Sequence, residues 1–257
     1  MNFPVDYDIH PWPRLRNILE LFLTGARRHT LFGTAEYDIT KALEKIAQNE
    51  NGPSLNTYLV YSIAQTAIKN EKMRTFKHKQ KKIVFKHADI GMPILKTLPS
   101  GLKIPVWYIV RKADTKTLEE LNRELREAVV GDLANDKNVK FRRKLSEMPI
   151  FIQRFFYAWI FRHPVRIKKY FGNMGITNVR QQGFHSPFVG LAMNIYSCQI
   201  SVGNVSDKFL PDENKNPSLR SVIQLGAGFD HIVMDGMCIT TIAKELGQQL
   251  ENAKGFA

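Results

Sequence analysis

At 257 residues, 44% hydrophobic and 24% charged with a formal net charge of +13, the chain has enough apolar material for a sizeable core, in one large domain or two small ones. Its two cysteines, Cys198 and Cys238, belong to no CxxC pair or closely spaced Cys/His set, which argues against structural zinc and for a reducing compartment. No apolar run reaches the roughly 18 residues of a membrane span, and the N-terminal MNFPVDYDIHPWPRL has neither the basic nor the apolar region of a secretory signal, so a cytoplasmic protein is expected.

In chain order, Arg14 to Ala26 reads as a helix with Ile18, Leu19, Phe22 and Leu23 on one side. Leu31 to Ile39 alternates weakly and reads as a strand, and Thr40 is placed to cap a helix through Asn49. Asn51-Gly52-Pro53 breaks that helix, and Leu55 to Lys69 is apolar enough for a buried one. Lys82 to Ile94 reads as one or two strands and Lys103 to Val110 as another. Thr117 with Glu120 three positions later is a capping box opening a helix through Val130. Strand-like segments recur at Gly175 to Val179, Tyr196 to Val202 and Ser221 to Phe229, and Met237 to Leu250 is a closing amphipathic helix. Helices interleaved with strands point to the α/β class, as a two-layer sandwich with a large mixed sheet flanked by helices.

The positive charge is uneven. One cluster is Lys77, Lys79, Lys81, Lys82 and Lys86; a second runs from Lys137 through Lys144 to Arg154, Arg162, Arg166, Lys168 and Lys169. Such clusters favour nucleotide phosphates, nucleic acid or an acidic membrane surface without choosing among them, and a solvated basic face is the plain alternative. No nucleic-acid motif accompanies them. The second cluster lies in a basic, aromatic-rich segment, about 133–170, whose run Ile150 to Phe161 is too short to span a bilayer and fits a helix packed in a core or interface.

The sharpest local signal is Asp230-His231-Ile232-Val233-Met234-Asp235-Gly236, at the end of a strand-like run and the start of a helix-like one. Gly226 and Gly228 imply a closely packed backbone leading into a bend. An imidazole presented at such a corner suits the removal of a proton from a thiol or hydroxyl near neutral pH. A buried, hydrogen-bonded histidine, with Asp235 merely capping the last helix, accounts for the same letters.

Asp-His-x-x-x-Asp-Gly resembles the active-site signature of the dihydrolipoyl acyltransferase and chloramphenicol acetyltransferase superfamily. Glu36 to Leu43 is similar to that domain's early strand-to-helix segment, Leu55 to Asn70 to its apolar helix, and Lys82 to Pro93 to the hairpin after it. Gly175-Ile176-Thr177-Asn178 resembles the strand that carries an active-site hydroxyl. The resemblance spans nearly the whole chain from about Pro11 and implies a single acyltransferase catalytic domain over 1–257. It implies coenzyme A as a thioester substrate and no metal. His231 would be the general base, Thr177 the oxyanion donor, and Asp235 a carboxylate paired with an N-terminal arginine, Arg16 or Arg14. It further implies a homotrimer, with His231 facing the hydroxyl of a neighbouring subunit.

Two departures qualify what is implied. No lipoyl domain or Ala/Pro-rich linker precedes the domain, so any lipoyl group is expected on a separate protein. Ile232 stands where the dehydrogenase-complex enzymes usually carry an arginine. The expected activity is acyl transfer to a thiol or hydroxyl, with a non-catalytic trimeric scaffold of the same fold as the alternative.

Overall fold

The computed structural model describes residues 20–21, 28–97, 103–131, 140, 144–145, 147–179, 186–191, 195–212 and 214–256. Strand β1 (Thr30–Asp38) leads into helices α1 (Thr40–Ala47) and α2 (Leu55–Lys69). A hairpin of β2 (Thr75–His78) and β3 (Lys81–Val84) precedes β4 (Ile90–Thr97), β5 (Lys103–Val110) and α3 (Leu118–Val130). Helices α4 (Ile150–Phe161) and α5 (Pro164–Phe171) then lead to β6 (Met174–Asn178), β7 (Cys198–Pro211), β8 (Pro217–Asp230) and α6 (Gly236–Glu251).

Six strands form one mixed sheet in the order β1-β8-β7-β6-β4-β5, with β6 parallel to both its neighbours and the other pairs antiparallel. The expected α/β architecture, a large mixed sheet flanked by helices, is borne out. Helix α2 packs among α1, α3 and α6, and residues 57–60 and 62–64 are buried in sequence, so most of its circumference is covered and only its last residues, Ile68 and Lys69, are exposed. The main core, including Leu59, Ile63, Ile90, Ile176, Ile223 and Leu246, lies between these helices and the sheet. The helix starts follow local chemistry: Ser54 Oγ takes the Thr57 N–H, and Thr117 and Glu120 cap each other's backbone. Thr40 does not cap α1; its N–H and hydroxyl both donate to Asp38 Oδ1, and its own oxygen accepts from Ser221 N. The helix-like reading of 14–26 falls, except for Glu20 and Leu21, outside the described residues.

A second, smaller core explains the segment of unusual composition. Tyr157, Ile160, Ile167 and Phe171 of α4 and α5 pack with Phe76 of β2 and with Ile195 and Tyr196. Asp89 clamps this unit to the sheet, taking Arg111 Nη1 at 2.9 Å, Lys168 Nζ at 2.6 Å and the Lys112 N–H at 2.9 Å. The two layers touch backbone to backbone there: a Cβ on Gly91 would lie 1.9 Å from the Phe171 carbonyl, and Gly172 sits at φ +90°, which only glycine adopts cheaply. The expectation that the Ile150 to Phe161 run is packed away holds for one face alone. Gln153, Tyr157 and Ile160 are buried, whereas Phe151 and Phe155 are 68% and 73% exposed.

Candidate active site

β8 carries the chain to the corner, and its last residue fixes the turn. Asp230 is 3% exposed and receives Arg28 Nη1 on Oδ2 at 2.5 Å. Arg28 also donates from Nε to the Ile195 carbonyl at 2.8 Å and lies over the Phe76 ring. The remaining Asp230 oxygen accepts the Ile232 N–H at 3.2 Å, and the Asp230 carbonyl accepts those of Val233 and Met234. His231 N donates to the His29 carbonyl at 2.8 Å, tying the turn to the residue before β1. Met234, 1% exposed, anchors the far end in the main core.

This leaves the His231 side chain exposed at the corner, the first of the two readings the sequence left open. Its Nδ1 lies 2.9 Å from the Met234 carbonyl. A carbonyl only accepts, so that contact selects the tautomer with the proton on Nδ1 and leaves the lone pair on Nε2. The ring is therefore oriented by main chain rather than by a carboxylate. Asp235 does not touch it: its Oδ1 takes the Cys238 N–H at 2.8 Å as the N-cap of α6. The Asp235 side chain is 69% exposed, with Lys72 Nζ at 3.9 Å. Arg16 and Arg14, the candidate partners of Asp235, lie outside the described residues.

Thr177 sits half-buried on β6, level with Ser201 on β7, which in turn pairs with Gly226 on β8. Gly226 is four residues before Asp230, so Thr177 is roughly 13 Å along the strand and about 9.5 Å across the sheet from the end of β8. Within one chain the expected base and the expected oxyanion donor are not brought together. Sequence reasoning also did not single out Arg28 as Asp230's partner, because the pair joins residues 202 positions apart. Beside the corner a cavity of about 1020 Å³ opens, with Asp230 and Ile232 in its wall. Among the described residues no group of three or more His, Cys, Asp or Glu side chains is placed to hold a metal, and no helix is long and apolar enough to cross a membrane.

No family profile and no curated protein sequence matches the chain. Solved structures do. The cubic core of the pyruvate dehydrogenase multienzyme complex superposes with a TM-score of 0.69 at 17% identity, over 100% of this chain and 98% of that one. Dihydrolipoamide acetyltransferase from Azotobacter vinelandii gives 0.68 at 17% identity over the same shares, and work on that structure concerns the role of a serine, a histidine and an asparagine in its catalytic mechanism. Chloramphenicol acetyltransferase gives 0.51 at 15% identity, over 95% of this chain and 98% of that one. The chain therefore has an acyltransferase-type catalytic-core fold. It is the fold shared by dihydrolipoamide acetyltransferase cores and chloramphenicol acetyltransferase, as the sequence resemblance implied.

Proposed function

We propose that the protein transfers an acyl group between a coenzyme A thioester and a thiol or hydroxyl acceptor, with His231 as general base. The observation that carries this reading is the exposed imidazole whose Nδ1 is committed to the Met234 carbonyl. Nε2 takes the proton of the attacking thiol or hydroxyl, and the sulfur or oxygen adds to the acyl carbonyl. The tetrahedral intermediate then expels the donor thiolate, which recovers the proton from His231. Thr177 donates its hydroxyl to the oxyanion, and Asp235 serves by starting α6 squarely after the histidine. The order Thr177, His231, Asp235 parallels the serine, histidine and asparagine of the Azotobacter enzyme.

The separation of Thr177 from His231 within one chain favours a site built between two subunits, and a homotrimer is the assembly we propose. The whole chain then acts as one catalytic domain. The test uses an acyl-coenzyme A with a free thiol acceptor. His231→Ala abolishes transfer while the assembly survives in analytical ultracentrifugation, and Thr177→Val lowers kcat by about 10²–10³-fold. Co-assembling the two variants restores roughly a quarter of the activity, since closed cyclic symmetry pairs each histidine with one neighbour's threonine. Equal, slow transfer by wild type and His231→Ala would leave the scaffold alternative in its place.

A further inference from the structure

The two basic clusters that lie far apart in the sequence meet in the fold. Lys77 lies on β2 and Lys79 in the turn after it, in a left-handed conformation at φ 53°. Arg154 lies on α4 and Arg162 at its C-terminal end. The rings of His78 and His163, 4.4 Å apart between centroids, hold the hairpin against the start of α5. All four cations line the cavity of about 1020 Å³ that reaches Asp230 and Ile232.

The wall has two characters. Tyr157, Ile167 and Ile195 are 2–3% exposed and form an apolar floor with Phe161. Arg28 and Asp230 neutralise each other. Among the described residues Lys77, Lys79, Arg154 and Arg162 form no ion pair, and Glu20 is the one other acid in the wall. Desolvation, with neighbouring His78, Arg166 and Lys79 as lesser causes, also holds His163 below the usual imidazole range. With four exposed cations against Glu20 in the wall, a purely apolar ligand would make no use of the excess positive charge, and a small inorganic anion would leave the apolar floor wet. A volume of this size suits a whole small molecule rather than a water cluster.

We propose that this cavity binds an amphiphilic anion. Its apolar body lies on Tyr157, Phe161, Ile167 and Ile195, and its phosphate or carboxylate is held by Lys77, Lys79, Arg154 and Arg162. That such a molecule is the acyl donor or acceptor rests on the acyl-transfer reading, because the cavity borders the His231 corner; the binding itself does not.

The probe is octyl phosphate below its micelle concentration, titrated by calorimetry against the full chain, with inorganic phosphate and octanol as separate controls. Octyl phosphate binds at least tenfold more tightly than either control. The combined Lys77→Glu and Arg162→Glu variant weakens it at least tenfold, and so does Ala158→Trp, which fills the cavity from an exposed helix position without touching charge. His231→Ala retains the binding while losing transfer, so failure of the catalytic reading and failure of this one are told apart. Octanol or inorganic phosphate binding as tightly as octyl phosphate overturns the proposal, as does binding indifferent to these substitutions. Adsorption to vesicles of equimolar phosphatidylcholine and phosphatidylglycerol without binding of monomeric octyl phosphate also overturns it, in favour of surface attachment through the exposed Phe151 and Phe155.

Discussion

Arg28→Met removes the cation beneath the corner that carries His231. The Asp230 side chain is 4% exposed and that of Arg28 15%, so the pair sits where water screens little. Among the described residues the carboxylate without the guanidinium keeps only the Ile232 N–H at 3.2 Å, and an uncompensated buried charge costs about 3–5 kcal/mol. Measured against a total stability of roughly 5–15 kcal/mol, that is a large fraction. For a chain of this size it lowers Tm by roughly 6–20 °C. Asp230→Asn keeps an oxygen for the Ile232 N–H and leaves a better-hydrated arginine with the Ile195 carbonyl, so it costs less, about 1–3 kcal/mol. Combining the two leaves no unpaired charge, and the double variant is more stable than the sum of single costs implies. Urea unfolding followed by circular dichroism supplies the cycle, and kcat for acyl transfer reports whether the imidazole keeps its aim. A cost below about 1 kcal/mol for Arg28→Met, or strict additivity in the double variant, would refute the argument.

Asp235→Ala removes the α6 N-cap and costs about 1 kcal/mol in urea unfolding, while Asp235→Asn restores it because an amide oxygen caps as well as a carboxylate. At Asp89 burial opposes ionisation, but the Lys112 N–H, Lys168 and Arg111 outweigh it and hold the carboxyl below its ordinary range. Its stabilising contribution is therefore complete above the ordinary carboxylate pKa and is lost as pH falls through the depressed folded value. Asp89→Asn should accordingly unfold at lower urea than wild type at pH 7, with the gap closing below about pH 4. Burial, with Cys238 nearby as a lesser cause, pushes the Cys198 thiol up to about 12. A thiol reagent counted by mass spectrometry should leave Cys198 unlabelled in the folded protein and label it only after unfolding.

What the sequence by itself determined is what neighbouring residues decide. The Thr117–Glu120 capping box and the Ser54 cap of the buried helix depend on contacts a few positions apart, and β1 and the corner at His231 leave a local trace in alternation and turn residues although their partners are distant in sequence. Strands β7 and β8 show where that signal ends. Tyr196 to Val202 and Ser221 to Phe229 are readable because they cross the core, whereas 207–211 and 217–220 extend past the pairing with β1, expose Phe209 and Leu219, and carry no buried face to impose alternation. Lys82 to Ile94 reads as one or two strands, and local pattern does not say that β3 pairs with β2 outside the main sheet while β4 lies within it. Tertiary structure alone decided that Asp230 pairs with Arg28, that Thr177 stands two strands away from His231, and that two basic clusters share one cavity. Each of these relations depends on strand order and on which faces become buried. Charge and desolvation act through space, so their consequences appear only once the chain has folded distant residues together.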